Sequence, residues 1–180
     1  MRSYLIVIYT FWFSIAHAGA HAYLKHQKLA GGDIIGNGGG IAESNFIHAY
    51  TKLYKFIDSC IESRFCVQNE KQRSDLIKIR NLSSRNYKNV SKIKFASSQV
   101  YPQLFETDDS HTNRLAVTGL NENDPIYVNL DLLYTENDKG ISYPALNFNE
   151  IVAILVHELG HNIGETDHNY LDFLGSIVSF

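Results

Sequence analysis

Two histidines and a glutamate in the last quarter of the sequence have the types and spacing of a metal-dependent hydrolytic site. In the segment HELGHNIGETD, residues 157–167, His157 and His161 lie four positions apart. If the segment is helical, both imidazoles project from one face about one turn apart and can hold one metal ion. Glu158 is then rotated about 100° from His157, where its carboxylate reaches a water on the metal without ligating the ion. This pattern predicts acid–base hydrolysis at zinc, which lowers the pKa of a bound water to about 7.

The helix that must carry these residues has sequence signals at both ends. Asn147 is a predicted N-cap, with Glu150 three residues later, and the unbroken apolar run 151–156 predicts a buried helix. Gly164 is typical of the position just past a helix C-terminus, where a left-handed turn reverses the chain. A ligand three residues later, Asp167, can then meet the metal.

The segment resembles the zincin metallopeptidases, and within them the metzincin-type extended motif in its snapalysin-like form, HExxHxxGxxD. The resemblance covers one helix and one turn. It implies that His157, His161 and Asp167 ligate Zn²⁺ and that Glu158 is the general base and acid. It also implies that an edge strand just before the active-site helix, here 126–133, binds substrate in an extended form.

The sequence departs from the family pattern downstream of the motif, in the turn that lies under the metal ion in that family. A metzincin has a methionine-containing turn there, whereas the only methionine of this chain is Met1. Either an apolar residue near the end of the sequence replaces it or the chain is a minimal relative; the candidate replacements are Leu171, Phe173 and Leu174. The third ligand also stays open, because His168 is the commoner zinc ligand by type and Asp172 can approach from a later turn.

The remaining patterns predict an α+β fold. Residues 43–66 show apolar residues at spacings of three and four, which indicates a long amphipathic helix, and residues 92–100, 114–120 and 125–134 are strand-like. We expect a small zincin-like domain in which a mixed sheet packs on the active-site helix and a backing helix. The residues predicted to line the core side of the long helix are Phe46, Tyr50, Leu53, Ile57, Ile61 and Phe65.

Cys60 and Cys66 are the only cysteines, and they form either a disulfide or two buried thiols. A bond between them requires the long helix to end near Arg64, because six positions of continuous helix point the two side chains apart.

Charge is distributed unevenly along the chain. Its 180 residues are 44% hydrophobic and 19% charged with a net charge of -3, which excludes a disordered chain and disfavours a uniformly basic nucleic-acid binder. Residues 71–94 nevertheless hold eight Lys and Arg against the single acid Asp75. This segment is either a solvated face or a surface for an anionic partner.

The amino terminus predicts export. Residues 1–18 have one cation, an apolar run and an A-x-A pattern, as a cleaved signal peptide does, and no permanent membrane span is expected after cleavage. A Gly-rich N-terminal segment follows over 19–42, and 43–180 is the predicted zincin-like metallopeptidase domain. We expect the protein to be secreted or periplasmic.

Together these features predict an exported zinc metalloendopeptidase that hydrolyses a protein or peptide substrate with a Glu-activated zinc-bound water, and no specific nucleic-acid partner. Two alternatives stay open: a zinc amidase acting on cell-wall peptides, and a non-catalytic envelope-binding protein with a structural metal site.

Overall fold

The computed structural model describes residues 40–63, 65–86, 88, 90–106 and 113–180. The predicted signal peptide, 1–18, lies outside the described residues, as does the Gly-rich segment apart from residues 40–42.

Within these ranges the chain forms five α-helices, 3₁₀ turns and short strands. The helices are α1 (Ile41–Glu62), α2 (Glu70–Asn86), the single turn α3 (Pro102–Phe105), α4 (Phe148–Asn162) and α5 (His168–Ser179). The strands are β1 (Ile93–Ala96), β2 (Ala116–Val117), β3 (Ile126–Asn129), β4 (Tyr134–Glu136) and β5 (Ser142–Pro144). This mixture confirms the predicted α+β class.

The long helix predicted over 43–66 is present as α1, but it ends earlier. Its core-side residues Phe46, Tyr50, Leu53 and Ile57 are fully buried, and Ile61 is half-buried against the same core. Because α1 ends at Glu62 and Ser63 turns into an extended conformation, Phe65 lies beyond the helix and is 93% exposed. The prediction that Phe65 faces the core is therefore wrong.

That early end allows Cys60 and Cys66 to approach each other. Their Cα atoms are 5.2 Å apart and the two side chains form a disulfide bond. The alternative of two buried thiols is excluded, and the geometric condition placed on the helix end is met.

The main sheet is mixed and has β3 at its centre. β1 pairs with β3 in parallel, with Ile93 opposite Ile126, and β2 pairs with the other side of β3 in antiparallel orientation. All four residues of β3 are buried, because neighbouring strands flank it on both sides and the core covers its face. The expectation that 126–133 is an edge strand is therefore wrong: β3 is central, and the chain leaves it at Asn129 for a 3₁₀ turn over Leu130–Leu132.

One apolar core joins the sheet to the helices. Residues of α1, α2, α4 and α5 form a single buried cluster with Ile93, Ile126 and Val128 of the sheet. Since apolar burial is the main stabilising contribution to folding, α4 and the sheet share one source of stability.

The cations of residues 71–94 have partners within the described chain. Lys78 contacts Asp75 at 2.8 Å, Arg80 contacts Asp58 at 2.8 Å, and the Lys92 ammonium donates to two backbone carbonyls. These internal contacts favour a structural face for this segment over a surface kept free for an anionic partner.

None of the helices in the described ranges has both the length and the apolar composition that crossing a membrane requires.

Candidate metal centre

The N-terminus of α4 is fixed by reciprocal hydrogen bonds. The Glu150 backbone N–H donates to Asn147 Oδ1 over 3.0 Å, and the Asn147 N–H donates to Glu150 Oε2 over 2.7 Å. The predicted N-cap and its glutamate partner are thus confirmed. Ile151, Val152 and Leu155 lie on the buried side of α4. Their burial fixes the rotation of the helix about its axis, and with it the directions of the side chains in its last two turns.

Three imidazoles converge where α4 and α5 meet. The Nε2 atoms of His157 and His161 are 3.1 Å apart, and His157 Nε2 lies 3.1 Å from His168 Nδ1. One ring nitrogen from each residue lies within 4.8 Å of the other two. We call His157, His161 and His168 the histidine group.

Two of these imidazoles are oriented through their other nitrogen. His157 Nδ1 lies 2.7 Å from the Asp172 carboxylate, and His161 Nδ1 lies 2.8 Å from the backbone carbonyl of Glu165. Because a carboxylate and a carbonyl only accept hydrogen bonds, each Nδ1 carries the proton and donates. The Nε2 atoms of the neutral rings therefore direct lone pairs into the group, as metal-binding histidines do.

The group's dimensions suit a metal ion. Two lone-pair nitrogens 3.1 Å apart repel each other unless a cation or a proton lies between them. Burial lowers the pKa of His161 to about 4 and also lowers the pKa of His157, although Asp172 opposes the second shift, so burial favours a cation other than a proton in that place. Nitrogens bound tetrahedrally to zinc at 2.0–2.1 Å are about 3.3 Å apart, close to the spacing in the group. The donor set fits zinc and also other imidazole-binding metals.

The turn between α4 and α5 decides which side chain becomes the third donor. Gly164 adopts φ +91°, which confirms the predicted left-handed turn. Asp167 then caps α5, since its Oδ1 accepts the Tyr170 N–H over 3.2 Å. His168, the first residue of α5, reaches the group instead. The structure thus brings His157 and His161 together with His168, whereas Asp167, the ligand implied by the extended motif, stays outside.

Glu158 is buried beside this centre and is not one of the three donors. Its side chain is 6% exposed, and its Oε2 has no hydrogen-bond partner among the described residues. Burial raises the pKa of Glu158 to about 8, although the positive charge of Arg114 opposes the rise. A buried carboxyl with an unpartnered oxygen, adjacent in sequence to one of two histidines that converge on the same helix, calls for a functional explanation.

Beneath the centre, α5 packs tightly on α4. Leu171 is fully buried and lies against Gly160, where an added Cβ would come within 2.2 Å of Leu171 Cδ2. Leu174 is also buried, whereas Phe173 is 36% exposed. Leu171, Phe173 and Leu174 were the candidate replacements for the methionine of the family turn. Leu171 packs on Gly160, which lies between His157 and His161 in α4.

Some residues that hold the histidines in place were not predicted in that role from the sequence. Asp172 was considered as a ligand, but it contacts His157 Nδ1. Glu165 accepts the N–H of His161 through its backbone carbonyl rather than its carboxylate. Lys71, which contacts that carboxylate at 2.7 Å, lies 94 positions away in sequence, and no local pattern could have identified it.

Comparisons of the chain with protein-family models, with curated proteins and with solved structures find no match.

Proposed function

We propose that the protein is a zinc-dependent peptidase whose metal is held by the histidine group and whose general base is Glu158. The observation that carries the proposal is the convergence of three imidazoles next to a buried carboxyl that has an unpartnered oxygen among the described residues. Three protein donors leave a coordination position open, which is typical of catalytic zinc sites, whereas structural zinc sites are closed by four protein ligands. This difference favours catalysis over a structural metal site.

The residues of the chain would divide the work as follows. Zinc, when bound, supplies Lewis acidity toward a peptide carbonyl and acidifies a water molecule. Glu158 accepts the proton of the attacking water and passes it to the leaving amine. Its pKa near 8 makes both transfers accessible around neutral pH. Asp172 and the Glu165 carbonyl hold the two α4 imidazoles in the required tautomer.

An extended substrate that binds as an added strand needs a strand with an unpaired edge. β3 does not offer one, because β1 and β2 flank it on both sides. β2 lies at one edge of the three-stranded sheet and contacts α4, the helix of the metal centre. Peptides commonly bind by adding a strand to such an edge. We therefore assign the substrate-binding edge to β2 and keep proteins or peptides as the substrate class.

The proposed compartment stays outside the cell or in the periplasm. The Cys60–Cys66 disulfide supports it, because structural disulfides persist in oxidising compartments.

Cleavage of an unfolded protein by the purified chain tests the proposed activity. We expect cleavage that a chelator abolishes and added zinc restores. Glu158→Gln keeps the shape of the side chain but cannot accept the proton, so we expect a rate at least about 100-fold lower with zinc still bound. Bound zinc is measured by elemental analysis of the same samples.

Glu62→Gln is the matched control, since Glu62 is an exposed carboxylate at the end of α1 and should leave the rate unchanged. Full activity in Glu158→Gln would refute the assigned base. A zinc-loaded parent that cleaves no protein but releases peptides from cell-wall fragments would instead identify the amidase alternative.

A further inference from the structure

A network from α2 reaches across to the turn that connects the two helices of the metal centre. The Lys71 ammonium lies 2.7 Å from Glu165 Oε2 and 3.2 Å from Asp75 Oδ2, and it sits 3.4 Å above the centre of the Tyr170 ring. The Tyr170 hydroxyl donates to Asp75 over 3.1 Å, which closes the network. We call Lys71, Asp75, Glu165 and Tyr170 the Lys71 network.

Glu165 connects this network to the metal centre. Its backbone carbonyl accepts the proton of His161 Nδ1, while its carboxylate Oε1 accepts the backbone N–H groups of Thr166 and Asp167 at 2.9 and 3.1 Å. The carbonyl thus orients one imidazole of the histidine group, and the carboxylate shapes the turn that ends at the N-cap of α5. His168 follows that cap directly.

Lys71 is the group that holds the Glu165 side chain from outside the turn. The Lys71 ammonium keeps the pKa of the Glu165 carboxyl below its ordinary value, as expected for a charge-assisted hydrogen bond. The Lys71 side chain is 59% exposed, and exposed ion pairs add little to the stability of a fold. Its contacts should therefore matter more for the geometry of the turn than for global folding.

We propose that Lys71 is a positioning residue for the metal centre: through Glu165 it fixes the turn that orients His161 and delivers His168. The proposal rests on the metal site of the proposed function but not on its catalytic activity. Partners that orient metal ligands from outside the coordination sphere commonly change metal affinity 10–100-fold when they are removed.

Metal affinity of the full chain tests the proposal. Zn²⁺ dissociation constants are measured by competition with a chromophoric chelator, and Co²⁺ spectra report the coordination geometry. We expect Lys71→Met and Glu165→Gln each to weaken Zn²⁺ binding by about 10-fold and to alter the Co²⁺ absorption bands. Both substitutions break the same contact, the one between Lys71 and Glu165. Their effects should therefore not add, and the double variant should bind Zn²⁺ about as tightly as the single variant with the lower affinity.

Two further variants separate positioning from a general loss of structure. Lys71→Arg keeps the charge and the stacking on Tyr170, so we expect it to restore most of the affinity. Arg85→Met breaks an exposed ion pair of the same helix with Glu122, which does not touch the turn, and should leave the Zn²⁺ affinity unchanged. Thermal midpoints of the metal-free variants should stay close to that of the parent.

Unchanged Zn²⁺ affinity in Lys71→Met would overturn the proposal, as would an equal loss in Arg85→Met. A parent chain that binds no metal would refute the metal centre and the role of Lys71 together. A parent that binds zinc tightly but cleaves nothing would refute only the peptidase function, since the affinity measurements would still report on Lys71.

Discussion

The three imidazoles of the histidine group are presented in two different ways. His157 and His161 point Nε2 into the group and use Nδ1 for a hydrogen bond, whereas His168 points Nδ1. His157 is oriented by a carboxylate that is itself 72% exposed, and His161 by a main-chain carbonyl. His161 is thus oriented by the fold of the turn, while the orientation of His157 depends on one surface side chain.

The third donor can be identified by substitution. We expect His168→Ala to weaken Zn²⁺ binding by more than the 10–100-fold typical of an outer partner, because it removes a direct ligand. Asp167→Ala removes the N-cap of α5 and should lower the free energy of unfolding by about 1 kcal/mol, with a smaller effect on zinc. Chelator competition and urea denaturation measure the two quantities. If Asp167→Ala releases zinc while His168→Ala retains it, the ligand set of the extended motif is correct and ours is wrong.

At this scale the sequence predicted which two histidines of α4 lie together, but not which residue of the following helix joins them. The four-residue spacing was sufficient for His157 and His161, since it depends only on helical periodicity. The third donor depends on the residue at which α5 begins, and helix boundaries are uncertain by a residue or two even in a known structure. Aspartate is favoured both as an N-cap and as a metal ligand, so the residue type of Asp167 could not decide between the two uses.

At the scale of the elements, the contact between α4 and α5 depends on two glycines. Gly160 receives the side chain of Leu171, and Gly175 lies directly against the backbone of Ala153. These close approaches allow α5 to bring His168 and Asp172 to the end of α4. The helix pair is therefore the structural unit that forms the histidine group.

Gly175→Ala tests how tightly this pair must pack. The added Cβ would lie 2.6 Å from the Ala153 carbonyl oxygen, and no side-chain rotation relieves a contact with backbone. Alanine favours a helix by about 1 kcal/mol over glycine, but overpacking costs about 1–3 kcal/mol. We expect the clash to dominate, so that the free energy of unfolding falls and Zn²⁺ binding weakens as α5 is displaced.

Urea denaturation and chelator competition measure both effects, with Ser176→Ala on the same helix as the control. The Ser176 hydroxyl donates to the carbonyl of Phe173 in its own helix, and we expect its removal to change little. A Gly175→Ala variant that is more stable than the parent, with equal zinc affinity, would contradict the close packing described here.

Local sequence patterns predicted the individual helices and strands more reliably than they predicted which elements lie side by side. The Asn147 cap and the buried run of α4 follow from interactions within a few residues, and both are confirmed. The order of strands in a sheet depends on contacts between distant segments, and β3 was misplaced at an edge for that reason. Its uninterrupted burial, Ile126 to Asn129, is the property of a central strand.

Across the described residues as a whole, two ion pairs join a basic part of the sequence to an acidic part. Residues 1–105 hold fourteen Lys and Arg against six Asp and Glu, whereas residues 106–180 hold two against thirteen. Lys71 pairs with Glu165 and Arg85 with Glu122, each across the division in charge. At these two ion pairs, positive and negative charges that are far apart in the sequence are therefore neighbours in the structure. Composition alone could not show this, because it carries no information about which segments meet.

The disulfide should contribute to the stability of the entire domain. Cys60 and Cys66 are six positions apart, and closing so short a loop in the unfolded chain is expected to stabilise the fold by about 2 kcal/mol. We expect a chain carrying both Cys60→Ala and Cys66→Ala to lose about that free energy of unfolding in urea. A reductant should lower the stability of the parent by a similar amount and leave the double variant unchanged. Equal stability of the oxidised and reduced parent would show that the bond is not a stabilising element.

The histidine group also has a consequence for the order of folding events. His157 and His168 are only 11 positions apart, so bringing their side chains together closes a short loop at little entropic cost. Pairing β1 with β3 must instead join Ile93 to Ile126 across a long intervening segment. Contacts of low sequence separation form faster than those of high separation. The helical hairpin can therefore assemble the histidine group before the sheet is complete. Under the proposed function, an ion held by that group would then cross-link α4 and α5 while the rest of the chain folds.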